Sequence, residues 1–262
     1  MMNSEQKNKE KEAVINIEDL QIKFGSLEVL KGISLQLYKG ENLVVLGKSG
    51  TGKSVLIKCI IRLLQSDQGQ INVLGEEVNS LKSKELDEMR KQVGFLFQSG
   101  ALYDSMTVRQ NLEFPLRRIK KDLSEKEIED KVKEVLENVG LPDSMYKMPS
   151  ELSGGMKKRI SLARTIIVDP SIILYDEPTT GLDPVTSHEI SLLINDIQKK
   201  YKTSSIIITH DIECARTVAN RIIMLQDGVV YKEGNLEEFE NTSDELVNSY
   251  FQNQNTINLN KI

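Results

Sequence analysis

The chain has 262 residues, 39% of them hydrophobic and 28% charged, and its 34 Lys and Arg against 39 Asp and Glu leave a net charge of −5. That is the composition of one globular domain with room for a subdomain, and it carries no basic footprint for nucleic acid. No apolar run approaches the roughly 18–20 residues of a membrane span, and Cys59 and Cys214 make neither a metal-spaced cluster nor a secreted scaffold, so both read as buried small hydrophobes.

In chain order, residues 1–13 are polar, lack the apolar core of a signal peptide and read as a disordered tail. Ile15, Ile17, Leu20, Ile22 and Phe24 mark a first strand; Ile33, Leu35 and Leu37 alternate with Ser34 and Gln36 in a second, and their closeness suggests an antiparallel sheet. Leu43–Leu46 is a continuous apolar run, as in a strand buried on both faces, and an apolar helix is expected over Val55–Leu64. Phe95-Leu96-Phe97 is a further apolar run ending on Gln98. Between Gln98 and Val168 the pattern turns helical. Ser124 and Glu127 form a capping box; Ile128, Val132, Val135, Leu136 and Val139 keep one face; and Gly140 ends that helix. Met156, Ile160, Ala163 and Ile167 mark the next helix. Ser171–Tyr175 and Ser205–Thr209 repeat the buried-strand pattern, Asp227-Gly228 reads as a hairpin turn, residues 243–253 as a short last helix, and the remaining end as loose. Buried strands separated by helices predict a parallel α/β core.

Three strand ends carry chemistry. Gly47, Lys48, Ser49, Gly50, Thr51, Gly52, Lys53 and Ser54 follow the Leu43–Leu46 run and precede a helix. In that context the glycines let backbone N–H groups wrap phosphates, Lys53 is placed for the β- and γ-phosphates, and Ser54 for Mg²⁺. The run at 171–175 delivers Asp176, suited to the Mg²⁺ shell, and Glu177, suited to orienting and deprotonating water. The run at 205–209 delivers His210 to the same edge, where it can hold phosphate and water together. His188 lies on a polar helical stretch and reads as surface. Ser153, Gly154 and Gly155 open a helix with Ser153 as cap and free N–H groups, a second anion-binding start.

The order Gly47–Ser54, Gln98, Leu152–Gly155, Asp176-Glu177, Gly181-Leu182-Asp183 and His210 resembles the nucleotide-binding domain of ABC ATPases over residues 14–240. The resemblance implies an α/β P-loop NTPase core, an N-terminal antiparallel β subdomain and an α-helical signature subdomain at about 99–168, with residues 241–262 as C-terminal helix and tail. It implies ATP and Mg²⁺ as cofactors, and Glu177, His210 and Gln98 as catalytic residues. Ser54, Gln98 and Asp176 fall at the metal. It also implies a head-to-tail pair of subunits, each ATP held between Lys53 of one and Ser153–Gly155 of the other, with Asp183 beside it. Phe24 matches the aromatic that stacks on adenine; a core role is the alternative.

"LFQSGALYDSMTVRQNLEFPLR" and "MPSELSGGMKKR" look like the ATPases of Mla/MCE-type phospholipid transporters. That resemblance implies transmembrane permease subunits, an MCE-domain lipid-binding protein, no nucleic acid, and a cytoplasmic place on the inner face of the plasma membrane through the permease. Leu102, Tyr103, Met106 and Phe114 then form either buried core or a groove for a permease helix. The alternatives are an ABC ATPase for another cargo, or one that regulates the envelope without transport. A chromosome or DNA-repair ATPase lacks its long heptad insertion here, and a P-loop kinase or GTPase leaves SGG and His210 unexplained.

Overall fold

The computed structural model describes residues 12–251. Most of the expected 1–13 tail and the end after 251 lie outside them. β1 (Ala13–Phe24) begins one residue inside that expected tail and folds back on β2 (Leu27–Tyr38) through Gly25. β3 (Asn42–Leu46) leads into α1 (Lys53–Ile60), shorter than the apolar run suggests because Ile61 leaves the helix. β4 (Gln68–Val73), β5 (Glu76–Glu77) and α2 (Ser83–Lys91) come next, then β6 (Val93–Leu96). Three helices follow: α3 (Val108–Ile119), α4 (Glu125–Asn138) and α5 (Gly154–Ile166). The described residues end with β7 (Ile172–Asp176), α6 (Pro184–Tyr201), β8 (Ser204–Thr209), α7 (Ile212–Val218), β9 (Arg221–Gln226), β10 (Val229–Gly234) and α8 (Leu236–Glu240), then a short helix over 245–251.

One sheet has the order β2-β1-β4-β5 and is antiparallel; the other has the order β10-β9-β3-β8-β7-β6 and is parallel except for the β9–β10 hairpin. The antiparallel sheet is therefore larger than the two strands visible in the sequence. β4 has only Ile71 and Val73 as buried apolar residues and forms by pairing with β1. The hairpin turn is as expected: Asp227 and Gly228 both have positive φ, 49° and 84°, which a two-residue turn between twisted strands requires.

The parallel strands are apolar without alternation because both faces are covered. Along β7, Ile172 and Leu174 pack toward the antiparallel sheet and α1, while Ile173 and Tyr175 pack toward α5 and α6. β8 divides Ile206 and Ile208 from Ile207 in the same way. Each such side chain contributes about 1.5–3 kcal/mol by leaving water. In the helical segment, the Ser124–Glu127 capping box forms and Gly140 takes φ 71° after α4, while the buried face is Ile128, Val132, Val135 and Leu136. Among the described residues no helix is long and apolar enough to cross a membrane.

Both cysteines are buried and unpaired. Burial pushes the Cys59 thiol up to about 11, with Asp67 adding to the effect, and the Cys214 thiol up to about 12. An unfolded thiol titrates near 8.5. The folded state thus holds protons that the unfolded chain releases, and this contribution is complete below about 8.5 and is lost as pH rises through about 11–12. Cys59→Ala/Cys214→Ala protein is expected to show a shallower fall of Tm above pH 9 than the parent, read by thermal melts across pH. Equal slopes would remove the thiols as the cause.

Candidate functional site

In a parallel sheet the carboxyl ends of the strands share an edge, and ligands bind there. β3, β6, β7 and β8 end at Leu46, Leu96, Asp176 and Thr209, so the Gly47–Ser54 loop, Gln98, Asp176-Glu177 and His210 converge on one rim. A cavity of about 620 Å³ opens there, lined by Lys48, Ser49, Gly50, Gly52, Lys53, Ser54, Gln98, Glu177 and His210. Val29, Val55, Ser249 and Tyr250 complete the lining.

The loop is shaped for an anion. Gly52 caps α1 with φ 94°, and a Cβ there would stand 2.6 Å from Leu30 Cδ2, so only glycine fits. No side chain caps the first turn of α1, and no acidic residue sits in it. Its leading N–H groups and positive dipole end therefore face the cavity. Thr51 is outside the cavity lining, and its hydroxyl donates to Lys48 O at 2.9 Å. Lys53, only 6% exposed, donates from Nζ to Gly47 O at 2.6 Å and Lys48 O at 3.0 Å, with Glu177 Oε1 at 3.8 Å. Burial lowers its pKa, while Glu177 and Asp176 oppose the shift.

Ser54 Oγ donates to Asp176 Oδ1 at 2.7 Å. Hydroxyl and carboxylate oxygens side by side suit a hard divalent cation completed by phosphate oxygens and water. Among the described residues no three His, Cys, Asp or Glu side chains gather into an all-protein metal site. The residues present thus fit a triphosphate with Mg²⁺.

Glu177 has φ 51°, a left-handed backbone that costs a non-glycine residue of order 1–3 kcal/mol. Its N–H donates to Ile208 O at 2.9 Å, Thr180 Oγ1 donates to Oε2 at 3.1 Å, and His210 Nδ1 lies 2.8 Å from the same oxygen. The carboxylate lies between His210, just past β8, and Lys53, at the cavity wall.

The other sequence candidates stand elsewhere. Phe24, at the end of β1, is 48% exposed and outside the cavity lining. Ser153 caps α5, its Oγ accepting from Met156 N at 3.3 Å. A Cβ on Gly155 would meet Thr186 Cγ2 at 2.6 Å, which presses the start of α5 against α6. Asp183 caps α6 by accepting from Val185 N and Thr186 N. Ser153, Gly154, Gly155 and Asp183 all lie outside this chain's own cavity. His188 is exposed on α6, as expected.

Three residues escape sequence reasoning. Tyr250, on the 245–251 helix, reaches the cavity with its ring 6.0 Å from Lys48 Nζ. Asn111 on α3 is buried and holds the Tyr103–Met106 turn: Oδ1 accepts from Tyr103 N at 2.8 Å, and Nδ2 donates to Tyr103 O and Met106 O. Lys158 on α5 lies buried behind Gln98 and Glu177. None sits in a motif; the helical period places Lys158 and Asn111 on inner faces but names no partner.

Residues 30–180 match the ABC transporter family. The chain is 44% identical over 211 residues to the "Probable ribonucleotide transport ATP-binding protein mkl" of Mycobacterium leprae, covering 80% of this chain and 60% of that protein. It is 37% identical over 225 residues to the "Methionine import ATP-binding protein MetN" of Clostridium tetani, covering 86% and 70%. The chain thus spans about 60% of the length of the mycobacterial relatives it matches. Among solved structures, it superposes on the dimeric ATP-binding cassette MJ0796 bound to ADP and Pi with TM-score 0.77, 30% identity, and coverage of 85% and 98%. It also superposes on cbiO1 from Clostridium perfringens, part of the ABC transporter complex cbiONQ, with TM-score 0.81, 27% identity, and coverage of 96% and 100%.

Proposed function

Because this chain belongs to the ABC transporter family, we propose that it is an ATP-hydrolysing subunit working as a head-to-tail pair beneath membrane permease subunits. The observation that carries the reading is the single cavity where Lys53, Ser54, Gln98, Glu177 and His210 meet, with Asp176 on Ser54. Bound Mg²⁺ would supply charge neutralisation of the β- and γ-phosphates, held by Ser54, Asp176 and Gln98. Lys53 adds a fixed positive charge in a desolvated place, where it is worth more than in water. Glu177 takes a proton from water, and His210 fixes the carboxylate that does so. The segments Ser153–Gly155 and Asp183 serve the ATP of the partner subunit, and Phe24 is free to stack on the adenine.

For cargo we favour phospholipid in envelope lipid homeostasis. The support is the resemblance of the segments after Gln98 and around Met156 to Mla/MCE-type ATPases. The relatives' names point to ribonucleotide and methionine, each said of that protein alone. The loop after Gln98 suits a permease contact. Leu102 and Met106 are half-buried, while Tyr103 and Phe114 stay exposed at 45% and 41%, with their rings 5.2 Å apart edge to face. Asn111 pins the turn beneath them, so the aromatic pair is presented rather than buried.

Purification from detergent tests the reading: a permease should accompany the ATPase activity, with an MCE-domain protein in the assembly. A binding protein for sugars or amino acids in its place would overturn the lipid cargo. Tyr103→Ala should weaken permease co-purification while nucleotide affinity and Tm stay near parental values. Unchanged assembly and transport would remove Tyr103 as a coupling residue; a large Tm loss would return it to the core.

A further inference from the structure

Helix α5 does more than present Ser153–Gly155. Its inner side grips the loop after Gln98 over two turns. Lys158 Nζ donates to Gln98 O at 2.5 Å and to Glu177 O at 3.3 Å. Arg164 donates to Ala101 O at 2.7 Å and Gly100 O at 3.3 Å. Between them, Gly100 sits so close that a Cβ would stand 2.5 Å from Ser161 Oγ. Gly100 and Ala101 have φ 76° and 51°, so the loop is wound tightly against the helix.

Lys158 is the member that spans two functional segments. It is 7% exposed, and an ammonium so placed is costly unless its donors are used. Burial lowers its pKa, while Asp176 and Glu177 hold it up. Its hydrogen-bonded partners are backbone carbonyls, so it spends its reach on two main-chain positions. Both belong to residues whose side chains line the cavity, and one of them, Glu177, is strained at φ 51°. A strained residue persists only when its surroundings over-determine it.

We propose that Lys158 is a positioning residue that clasps the Gln98 loop to the Glu177 turn, so that the two side chains meet substrate in one fixed geometry. It touches no reacting atom. It also ties the α5 start, with Ser153–Gly155, to the chain's own Gln98, so a shift at either is passed to the other. The proposal rests on the ATPase reading for its kinetic consequence and not for the clasp itself.

The test uses full-length Lys158→Met, which keeps the bulk and removes the donors, and Lys158→Arg, which keeps donors. Lys158→Met should lower kcat for ATP about 10–100-fold with nucleotide affinity within about threefold of parental, the split expected of a group acting on the transition state. Lys158→Arg should recover most of the loss. In a double-mutant cycle, Gln98→Ala should cost far less in the Lys158→Met background than alone. Hydrogen exchange gives a reading independent of hydrolysis: the amides at 99–101 should exchange at least about tenfold faster in Lys158→Met. Unchanged exchange there overturns the clasp, as does parental kcat. If the parent protein hydrolyses no ATP, the functional reading fails while exchange still decides the clasp. Should Lys158→Met not fold, Lys158→Gln, whose short amide reaches at most one carbonyl, gives the same reading.

Discussion

Glu177→Gln is expected to keep ATP bound and to slow its hydrolysis by about 10²–10⁴-fold, the range for loss of a general base. Glutamine has the same shape, so the left-handed backbone at φ 51° and the hydrogen bond that the 177 N–H donates to Ile208 O should survive. The amide oxygen can still accept from Thr180 Oγ1, which now donates to Oε2 at 3.1 Å. What is lost is the capacity to take a proton. The substitution also removes a negative charge 3.8 Å from Lys53 Nζ. That frees the ammonium for phosphate and lessens repulsion of the nucleotide, so affinity should hold or rise. A nucleotide-bound pair of subunits should accumulate, visible by size-exclusion chromatography with ATP. Near-normal turnover in the pure variant would falsify Glu177 as the base.

The second large effect concerns division of the site between two chains. Lys53→Ala and Ser153→Ala homodimers should each lose hydrolysis on the order of 10²–10³-fold, as when one preorganised charge-stabilising group is removed. Lys53 lies in the cavity; Ser153 lies outside the lining of the same cavity. In a mixed dimer of the two variants, one site carries both lesions and the other carries neither. Such dimers, isolated through two different tags, should regain activity that both homodimers lack, up to about half the parental rate if one site can fire alone. Full activity in a nucleotide-bound species that stays monomeric at every concentration would end the shared-site reading. Recovery also separates a local lesion from misfolding, since an unfolded subunit could not complement.

Local patterns made the nucleotide residues legible. A buried strand announces itself by an unbroken apolar run, and the residue just past it must emerge at the sheet edge. That logic delivers Lys53, Ser54, Asp176, Glu177 and His210 from sequence, and all lie at one rim. The helical segment was legible where capping and period coincide, as at Ser124 and Ile128–Leu136. α2 was not, since Leu86 and Met89 are its only buried residues, and β4 was not, since its pairing with β1 spans about fifty residues of chain.

What only the tertiary structure decided was who meets whom. The sequence raised two roles for the cluster after Gln98, and packing divided it: Leu102 and Met106 turn partly inward, while Tyr103, on the turn that Asn111 holds, stays outside with its ring against that of Phe114 on α3. The expected last helix brings Tyr250 to the Lys48 loop some two hundred residues earlier. Lys157 and Lys158 are identical neighbours in the text, yet only Lys158 falls on the buried side of α5 and finds the carbonyls of Gln98 and Glu177. Helical period can say that a side chain points inward. It cannot say which main-chain oxygen waits there, because every residue carries the same carbonyl, and only the packed fold brings one of them within reach.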